Sequence, residues 1–445
     1  MDAMFLAAAI RDRVSAFVDD VEVMVERADR AGYTSENGPW IPVLEGEVWR
    51  IAMRGLSGGR LTAASSTVPD VQACADSLVR ALGCALPTPL KAFAEVIAVR
   101  DDRRAYDPAL AALIEDPRPI RAMAETMRSR GREAKGGLAV ESLDVVLSVS
   151  RQQRVLLTKA GAAESWSTGL SASVQMNGDW WEEGAWTSLP PPGTVEGLIA
   201  NLVTRLPARE LGPAEWMGKE RETPVVLDPG LLESFLRKLW IERVGRDRAL
   251  AGNKVFASGE RVADSSVTVW DDPGARGSFA GAPTDDEGVT TKRKTIVENG
   301  IFTSPLSDRR SAAVAGDSAL ATGNGFRVPF IAEDRAEAPV RVAMGHLEMS
   351  AGDNALSSMV KGKAIWVPVM LGIHSANKAT GAFNGPVVGG LALEDGQPVG
   401  RLRPGGWSLV GNAFQVLTGL VAVSRERKHT GSAELPWVAS VLRAG

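Results

Sequence analysis

Three carboxylates stand in a row at Asp285, Asp286 and Glu287, inside the stretch GAPTDDEGV. Such a cluster could hold a metal ion or exchange protons with a substrate. Successive side chains of an extended strand point to opposite faces, so the three cannot all reach one ion, although Asp285 and Glu287 could share a face. A turn accounts for the stretch more simply. Aspartate accepts backbone N–H bonds, Gly288 tolerates positive φ, and the basic run Lys292, Arg293, Lys294 can neutralise the acids. On this reading Asp285, Asp286, Glu287 and Gly288 are scaffold.

Other chemistry-bearing residues are sparse. The three histidines, His346, His374 and His429, are scattered, and no pair has the one-turn spacing of a helical zinc motif. Ser358 and Lys361 have the S-x-x-K spacing of some serine acyl-transfer enzymes, without a companion motif. TGNGFR (322–327) is glycine-rich but lacks the spacing and the Lys-Ser/Thr end of a phosphate loop. WDDPG (270–274) reads as a turn. Cys74 and Cys84 are the two cysteines, in or beside one predicted helix, and suit reduced, half-buried thiols better than a disulfide.

The elements that position these residues can be read from periodicity. Phe5, Leu6, Ile10, Val14 and Phe17 recur at helical spacing. VEVMVERA alternates Val21, Val23 and Val25 against Glu22, Met24 and Glu26, the pattern of a half-buried strand. SENGPW marks a turn, and GEVWRIAMRG and GRLTAAS continue an antiparallel sheet. Thr67 and Asp70 resemble a helix start, and Val71, Ala75, Leu78, Val79 and Leu82 give that helix its stripe. PALAALIEDPRPIRAMAETMRSRG is helical and broken by Pro117 and Pro119. LDVVLSVSRQQRVLLTKAG and STGLSASVQMNGDWWEEGAW alternate as strands. TVEGLIANLVTRLPARE is a helix presenting Leu198, Ile199, Leu202, Val203 and Leu206. IVENGIF is a hairpin with Asn299–Gly300 at its tip.

With 445 residues, 44% apolar and 23% charged, the chain is a globular protein of two or three domains. A net charge of -4 gives no basic footprint for nucleic acid. No apolar run reaches the roughly 20 residues that span a bilayer. Asp2 stands where a secretion signal carries Lys or Arg, so a cytoplasmic location is expected. The fold class is α+β: an N-terminal α+β domain (1–83), a middle helical and strand-rich segment (84–221) and a mainly antiparallel β C-terminal domain (222–445).

Several stretches carry a resemblance: TPVVLDPGLLESFL, SGERVADSSVTVWDDP, TDDEGVTTKRKTIVENGIF, DRRSAAVAGDSALATGNGFR, GIHSANKATGAFNGPVVGGLALEDG and LPWVASVL. They are similar, in order and spacing, to the C-terminal domain of the TldD/PmbA family, and the N-terminal VEVMVERADR unit resembles its first domain. In that family, TldD-type subunits carry a histidine–glutamate–three residues–histidine zinc motif on the helix after VVLDPG, and TldE/PmbA-type subunits lack it. Here the helix reads LLESFLRKLWIERVG, with Arg237, Lys238 and Glu242 at the corresponding positions. A cationic head beside Zn²⁺ opposes binding.

The resemblance therefore implies a TldE/PmbA-type subunit with no catalytic residue and no metal of its own. Its implied partner is a TldD-type zinc peptidase subunit, its implied ligand a peptide, and its setting proteolysis or peptide maturation. Peptide contacts are expected from the loops ATGNGFR and GIHSANKATGAF, through Asn324, Arg327, His374 and Asn377. The rival readings are an active hydrolase using Ser358 with Lys361, and a regulatory protein-binding module, after the family's older description as modulators of DNA gyrase.

Overall fold

The computed structural model describes the chain apart from residues 97–98, 134–139, 179, 215, 217–222, 276, 280, 330–333, 403–405 and 445. The expected boundary at 221/222 falls outside the described residues.

The first half is one sheet with helices on one face. Helix α1 (Ala3–Val14) is followed by strands β1 (Asp20–Glu36), β2 (Ile41–Ser57) and β3 (Arg60–Ser66), helix α2 (Val71–Ala81) and strands β4 (Leu86–Pro87) and β5 (Val99–Ala105). Helices α3 (Pro108–Glu115) and α4 (Arg118–Glu133), strands β6 (Leu143–Thr158), β7 (Gly161–Met176) and β8 (Trp180–Trp186) and helix α5 (Thr194–Arg205) complete it. The strand order is β4-β3-β2-β1-β6-β7-β5, with β8 also on β7. Strand β1 lies between β2 and β6, antiparallel to both. The expected division at residue 83 therefore does not separate two units, because its two sides share one hydrogen-bonded ladder.

The helix-covered face is apolar. Leu6, Ile10 and Val14 of α1 and Leu78 of α2 pack on Val21, Val23, Val25, Ile51 and Met53. Phe5 and Phe17, expected in that stripe, are exposed, and Ala3 and Ala7 take their place. The α2 cap is Asp70, which accepts the Ala73 N–H at 2.6 Å. Cys74 is buried and Cys84 exposed, both free.

The second half begins with β9 (Val225–Leu227). Asp228 caps α6 (Pro229–Phe235), which runs through a π turn (Leu236–Trp240) into α7 (Ile241–Val244). Next come α8 (Arg246–Leu250), β10 (Val269–Asp271), β11 (Lys294–Glu298), β12 (Ile301–Phe302), α9 (Arg309–Val314), β13 (Gly325–Arg327), β14 (Val340–Val342) and β15 (Leu347–Met349). Strands β16 (Lys363–Val367), β17 (Val369–Met370), β18 (Ala382–Val388), β19 (Leu391–Glu394), β20 (Gln397–Arg401), β21 (Ser408–Asn412), β22 (Leu420–His429), β23 (Ala433–Ser440) and β24 (Arg443–Ala444) follow.

The main sheet of this half is ordered β12-β11-β10-β15-β23-β9-β16-β19-β20. It is mostly antiparallel, with parallel pairs β15–β23 and β9–β16. The α6–π–α7 segment turns its apolar side inward, and Leu232, Phe235, Leu236, Leu239 and Trp240 are sunk in the core of this half. The hairpin tip at Asn299–Gly300 has φ of 48° and 80°, as a two-residue primed turn requires.

The two halves meet across the second face of the N-terminal sheet. Met24, Ala52 and Leu156 on that face pack with Ala336 from the C-terminal half. Residues 21–26 are consequently buried without a break, and the half-buried strand expected from their alternation is a central strand covered on both sides.

Candidate functional site

The acidic stretch lies at this junction. Thr284 and Thr290 bridge its base, and Gly288, at φ 80°, leaves no room for a side chain against Val96 and Leu156. Asp285, Asp286 and Glu287 are all buried. Asp285 accepts the N–H groups of Glu287, Val289 and Gly325 at 2.8–3.0 Å. Burial and then the neighbouring Glu287 charge push its carboxyl well above the ordinary range, against those three donors.

Asp286 accepts the Arg327 N–H at 2.7 Å and pairs with Arg154 at 2.7 Å and Arg335 at 3.0 Å. Burial alone would raise its pKa, but Arg335 and Arg154 outweigh it and hold the group at about 2. Glu287 pairs with Arg54 at 2.9 Å and accepts the Arg309 N–H at 2.7 Å.

Two of the three cations, Arg54 and Arg154, come from the sheet, and Arg335 from the C-terminal half. Arg54 on β2 makes a two-point contact with Glu22 on β1, both bonds 2.7 Å, before reaching Glu287. Arg154 on β6 also donates to the carbonyls of Thr284 and Asp285. Arg335 reaches Glu26 as well as Asp286. The expectation that Lys292, Arg293 and Lys294 neutralise the acids is corrected. Arg293 pairs with Glu348 and Lys294 with Asp271, while Lys292 is exposed. The missed partners had one signal in the sequence. Glu22 faces Arg54, and Glu26 faces Arg154, in the ladder register, so the charges are matched across strands.

The positions aligned with the metal motif do not converge. Arg237 donates to the carbonyls of Met344, Gly345 and Ser432 at 2.6–2.7 Å and to Glu233 at 2.6 Å. Lys238 is exposed. Glu242 is buried and accepts from Asn253 at 3.0 Å. A zinc ion needs several lone-pair donors aimed at one point, and this set supplies one cation locked to carbonyls, one solvated cation and one carboxylate facing elsewhere. The residues do not fit zinc. Among the described residues, no cluster of three or more His, Cys, Asp or Glu is placed to hold a metal.

Met344 and Gly345, whose carbonyls hold Arg237, also line a cleft of about 260 Å³ between the two halves. Arg104, Arg154 and Trp166 of the sheet, and Phe279, Phe326 and Arg335 of the C-terminal half, form its walls. His346, next in sequence to Gly345, lines a separate pocket with His429, 3.0 Å from the Ser278 hydroxyl and with its ring 6.0 Å from that of His429. Burial, then His429 and Arg237, lower the His346 pKa to about 4.

The four residues expected to contact peptide are divided. Asn324 is fully buried, donating to Asp271 at 2.6 Å and to the Ala343 carbonyl at 2.9 Å, so it has no face for a ligand. His374 and Asn377 lie on an exposed loop, where Asn377 accepts the Thr380 N–H at 3.0 Å and closes its own turn. Arg327 is buried but lines a cavity. Ser358 ends a short exposed helix, and its hydroxyl donates to the Ala355 carbonyl at 3.4 Å.

A family model described as the PmbA/TldA metallopeptidase C-terminal domain matches residues 220–441. A metalloprotease of Archaeoglobus fulgidus is 30% identical over 210 residues, 46% of this chain and 46% of that protein. A metalloprotease of Methanocaldococcus jannaschii is 40% identical over 103 residues, 23% of this chain and 22% of that protein. The chain thus spans about half the length, or less, of the curated relatives it matches. Among solved structures, TldE from Thermococcus kodakarensis superposes with a TM-score of 0.78 at 18% identity, covering 100% of this chain and 99% of that one. A protein described as a modulator of DNA gyrase from Bacteroides thetaiotaomicron gives 0.75 at 16%, covering 99% and 98%. These likenesses carry the α+β fold over the whole chain. Through its C-terminal domain the chain belongs to the TldD/PmbA family, whose members are related to metallopeptidases.

Proposed function

We propose that this chain is a TldE/PmbA-type subunit, without catalytic residues of its own, of a complex with a TldD-type zinc peptidase. The observation that carries this reading is Arg237. It stands where the resemblance aligns the first zinc-binding histidine, and its guanidinium is fastened to three backbone carbonyls and Glu233. Glu242 lies five positions after Arg237, with four residues between them, and a π turn brings residues at that spacing toward one face. The segment thus keeps a backbone suited to the motif while its side chains serve packing.

In this reading the zinc belongs to the partner, and the cleft beside Met344 and Gly345 is this chain's share of a peptide path. The buried acids Asp285, Asp286 and Glu287 act as scaffold, fastening the C-terminal half to the sheet. The setting is proteolysis or peptide maturation in the cytoplasm. The expected outcome is that the isolated chain leaves peptides intact, while its mixture with a TldD-type subunit co-elutes and cleaves them. Hydrolysis by the purified chain alone, in the presence of chelator, would overturn the proposal.

A further inference from the structure

Strand β3 has one closed side and one open side. Its turn from β2 sets Ser57 opposite Arg60 across Gly58 and Gly59, whose φ of 57° and 74° suit a type I′ turn in which the flanking pair is hydrogen-bonded. Bonded pairs alternate along an antiparallel ladder. Arg60, Thr62, Ala64 and Ser66 therefore direct their backbone groups to β2, and Leu61, Ala63 and Ser65 direct theirs away. The β4 segment agrees with this parity. Leu61 is matched with Leu86, and the Thr88 N–H donates to the Gly59 carbonyl at 3.1 Å. Pro87, which has no N–H, falls opposite Arg60. Since β4 begins at Leu86, it covers nothing further along β3. The N–H and C=O groups of Ala63 and Ser65 have no backbone partner among the described residues.

Sheets commonly guard such an edge with a charge, a proline or a bulge. Here Thr62, Ala63, Ala64, Ser65 and Ser66 are small and uncharged, and no bulge interrupts their register with β2. Ala63 is exposed. A cavity of about 460 Å³ lies between this edge, where Leu61, Ala63 and Ser65 line it, and residues 336–340 of the C-terminal half. The second wall carries an open edge of its own. Among the described strands β14 pairs with β13 alone, and the Ala343 N–H donates to the Asn324 carbonyl, so Val340 and Val342 direct their backbone groups away from β13. Asp247 accepts the Val342 N–H at 3.2 Å, whereas Val340 has no backbone partner on that side among the described residues.

We propose that the open edge of β3 takes one extended peptide segment as an added strand, held by the backbone groups of Ala63 and Ser65 and lying between β3 and Val340. The edge offers donor, acceptor, donor, acceptor, and the complement of that row is the edge of another strand. A strand carried in a partner's folded sheet would bring its own neighbour, one strand spacing further on, against residues 338–340, so the space admits a single segment. All four groups are main-chain groups, and the side chains beside them are short. The site thus reads an extended backbone rather than a particular sequence. That the segment is a substrate peptide rests on the function proposed above; that it binds as a strand rests on the edge itself.

The test uses the full chain without any peptidase partner. An acetylated and amidated hexapeptide of alternating serine and alanine, and the same peptide N-methylated at every residue, are titrated by calorimetry. Hydrogen exchange over residues 60–66 is followed by mass spectrometry. The unmethylated peptide should bind at least tenfold more tightly than the methylated one, and it should slow exchange in that segment at least tenfold. Ala63→Pro, which removes an outward N–H and leaves the β2 ladder intact, should weaken binding tenfold or more. Circular dichroism reports folding, and if Ala63→Pro does not fold, Ala63→Lys replaces it by placing a charge on the edge. Equal binding of the two peptides, no binding at millimolar concentration, or protection confined to other segments would overturn the strand site. Protection of residues 60–66 that rises with chain concentration in the absence of peptide would overturn it too, by making a second copy the occupant. Because binding is read on this chain by itself, those outcomes leave the subunit proposal standing. A failure to support a TldD-type partner leaves the strand site standing.

Discussion

Arg54 and Glu287 are 233 residues apart in the chain and 2.9 Å apart in the structure. The pair joins a strand of the N-terminal sheet to a loop of the C-terminal half, and both side chains are buried. Through Glu22 on one side and the Arg309 N–H on the other, it forms a continuous polar link from β1 to α9. Buried pairs of this kind add little net stability over apolar packing, but losing one partner strands the other charge.

Asp286→Asn should therefore be costly. It removes the charge held by both Arg154 and Arg335, and the expected loss is about 3–5 kcal/mol by urea unfolding at pH 7. Asp286 sits at about 2 in the folded state, below its ordinary value, so its stabilisation is present above roughly pH 4 and disappears as pH falls toward 2. The gap between the two proteins should narrow across that window. A loss under about 1 kcal/mol at pH 7, with the fold intact, would remove the scaffold role.

The isolated chain should carry no stoichiometric zinc after purification without chelator, as read by elemental analysis. Arg237→Ala should also lower stability by about 2–4 kcal/mol, since three carbonyls and Glu233 lose their donor. One tightly held zinc per chain, or a stable Arg237→Ala protein, counts against the assignment of this helix.

Ser358→Ala should leave the peptide turnover of the assembled pair within about twofold of the unsubstituted protein, a difference of roughly 0.4 kcal/mol. The hydroxyl is on the surface and bonded to its own turn. A loss of a hundredfold or more in a folded, assembled Ser358→Ala protein would revive the serine-enzyme reading.

His346 should make the chain acid-sensitive near pH 5. Its folded pKa of about 4 lies below the ordinary value near 6.5, so the folded state favours the neutral ring. The corresponding stabilisation is intact above about pH 6.5 and is lost as pH falls toward 4, because the unfolded chain binds the proton more readily. Allowing for partial solvent access, the change is about 1–2 kcal/mol. His346→Gln should flatten the melting temperature between pH 7 and 4.5. An equal slope in both proteins places the acid sensitivity elsewhere.

The elements were legible where local chemistry decides them. Asn299–Gly300 announced a hairpin, Pro117 broke a helical run into α3 and α4, and long alternating stretches became β6 and β7. The second buried face of β1 was not legible. Glu22 and Glu26 look like solvent-facing positions until the C-terminal half covers them, and only the cross-strand match with Arg54 and Arg154 hints otherwise. At the candidate site, the acids were visible as a turn, but two of their partners, Arg54 and Arg154, come from strands more than 100 residues away. Asn324 and Arg327, expected on a loop open to a ligand, are both internal, because β13 and its approach are covered by neighbouring segments.

The place of β1 between β2 and β6 has a consequence for how the chain folds during synthesis. One flank of β1 can pair as soon as the first hairpin emerges, but the other must wait for Asp144–Thr158. Until then a ladder edge running from Glu22 to Glu36 is open, in a strand rich in valine and apolar on one face. Such edges recruit other chains, and pairing across so long a loop is slow. A fragment ending near residue 83 would keep that edge permanently and should aggregate, whereas a fragment ending after Trp186 closes the sheet and should remain dispersed.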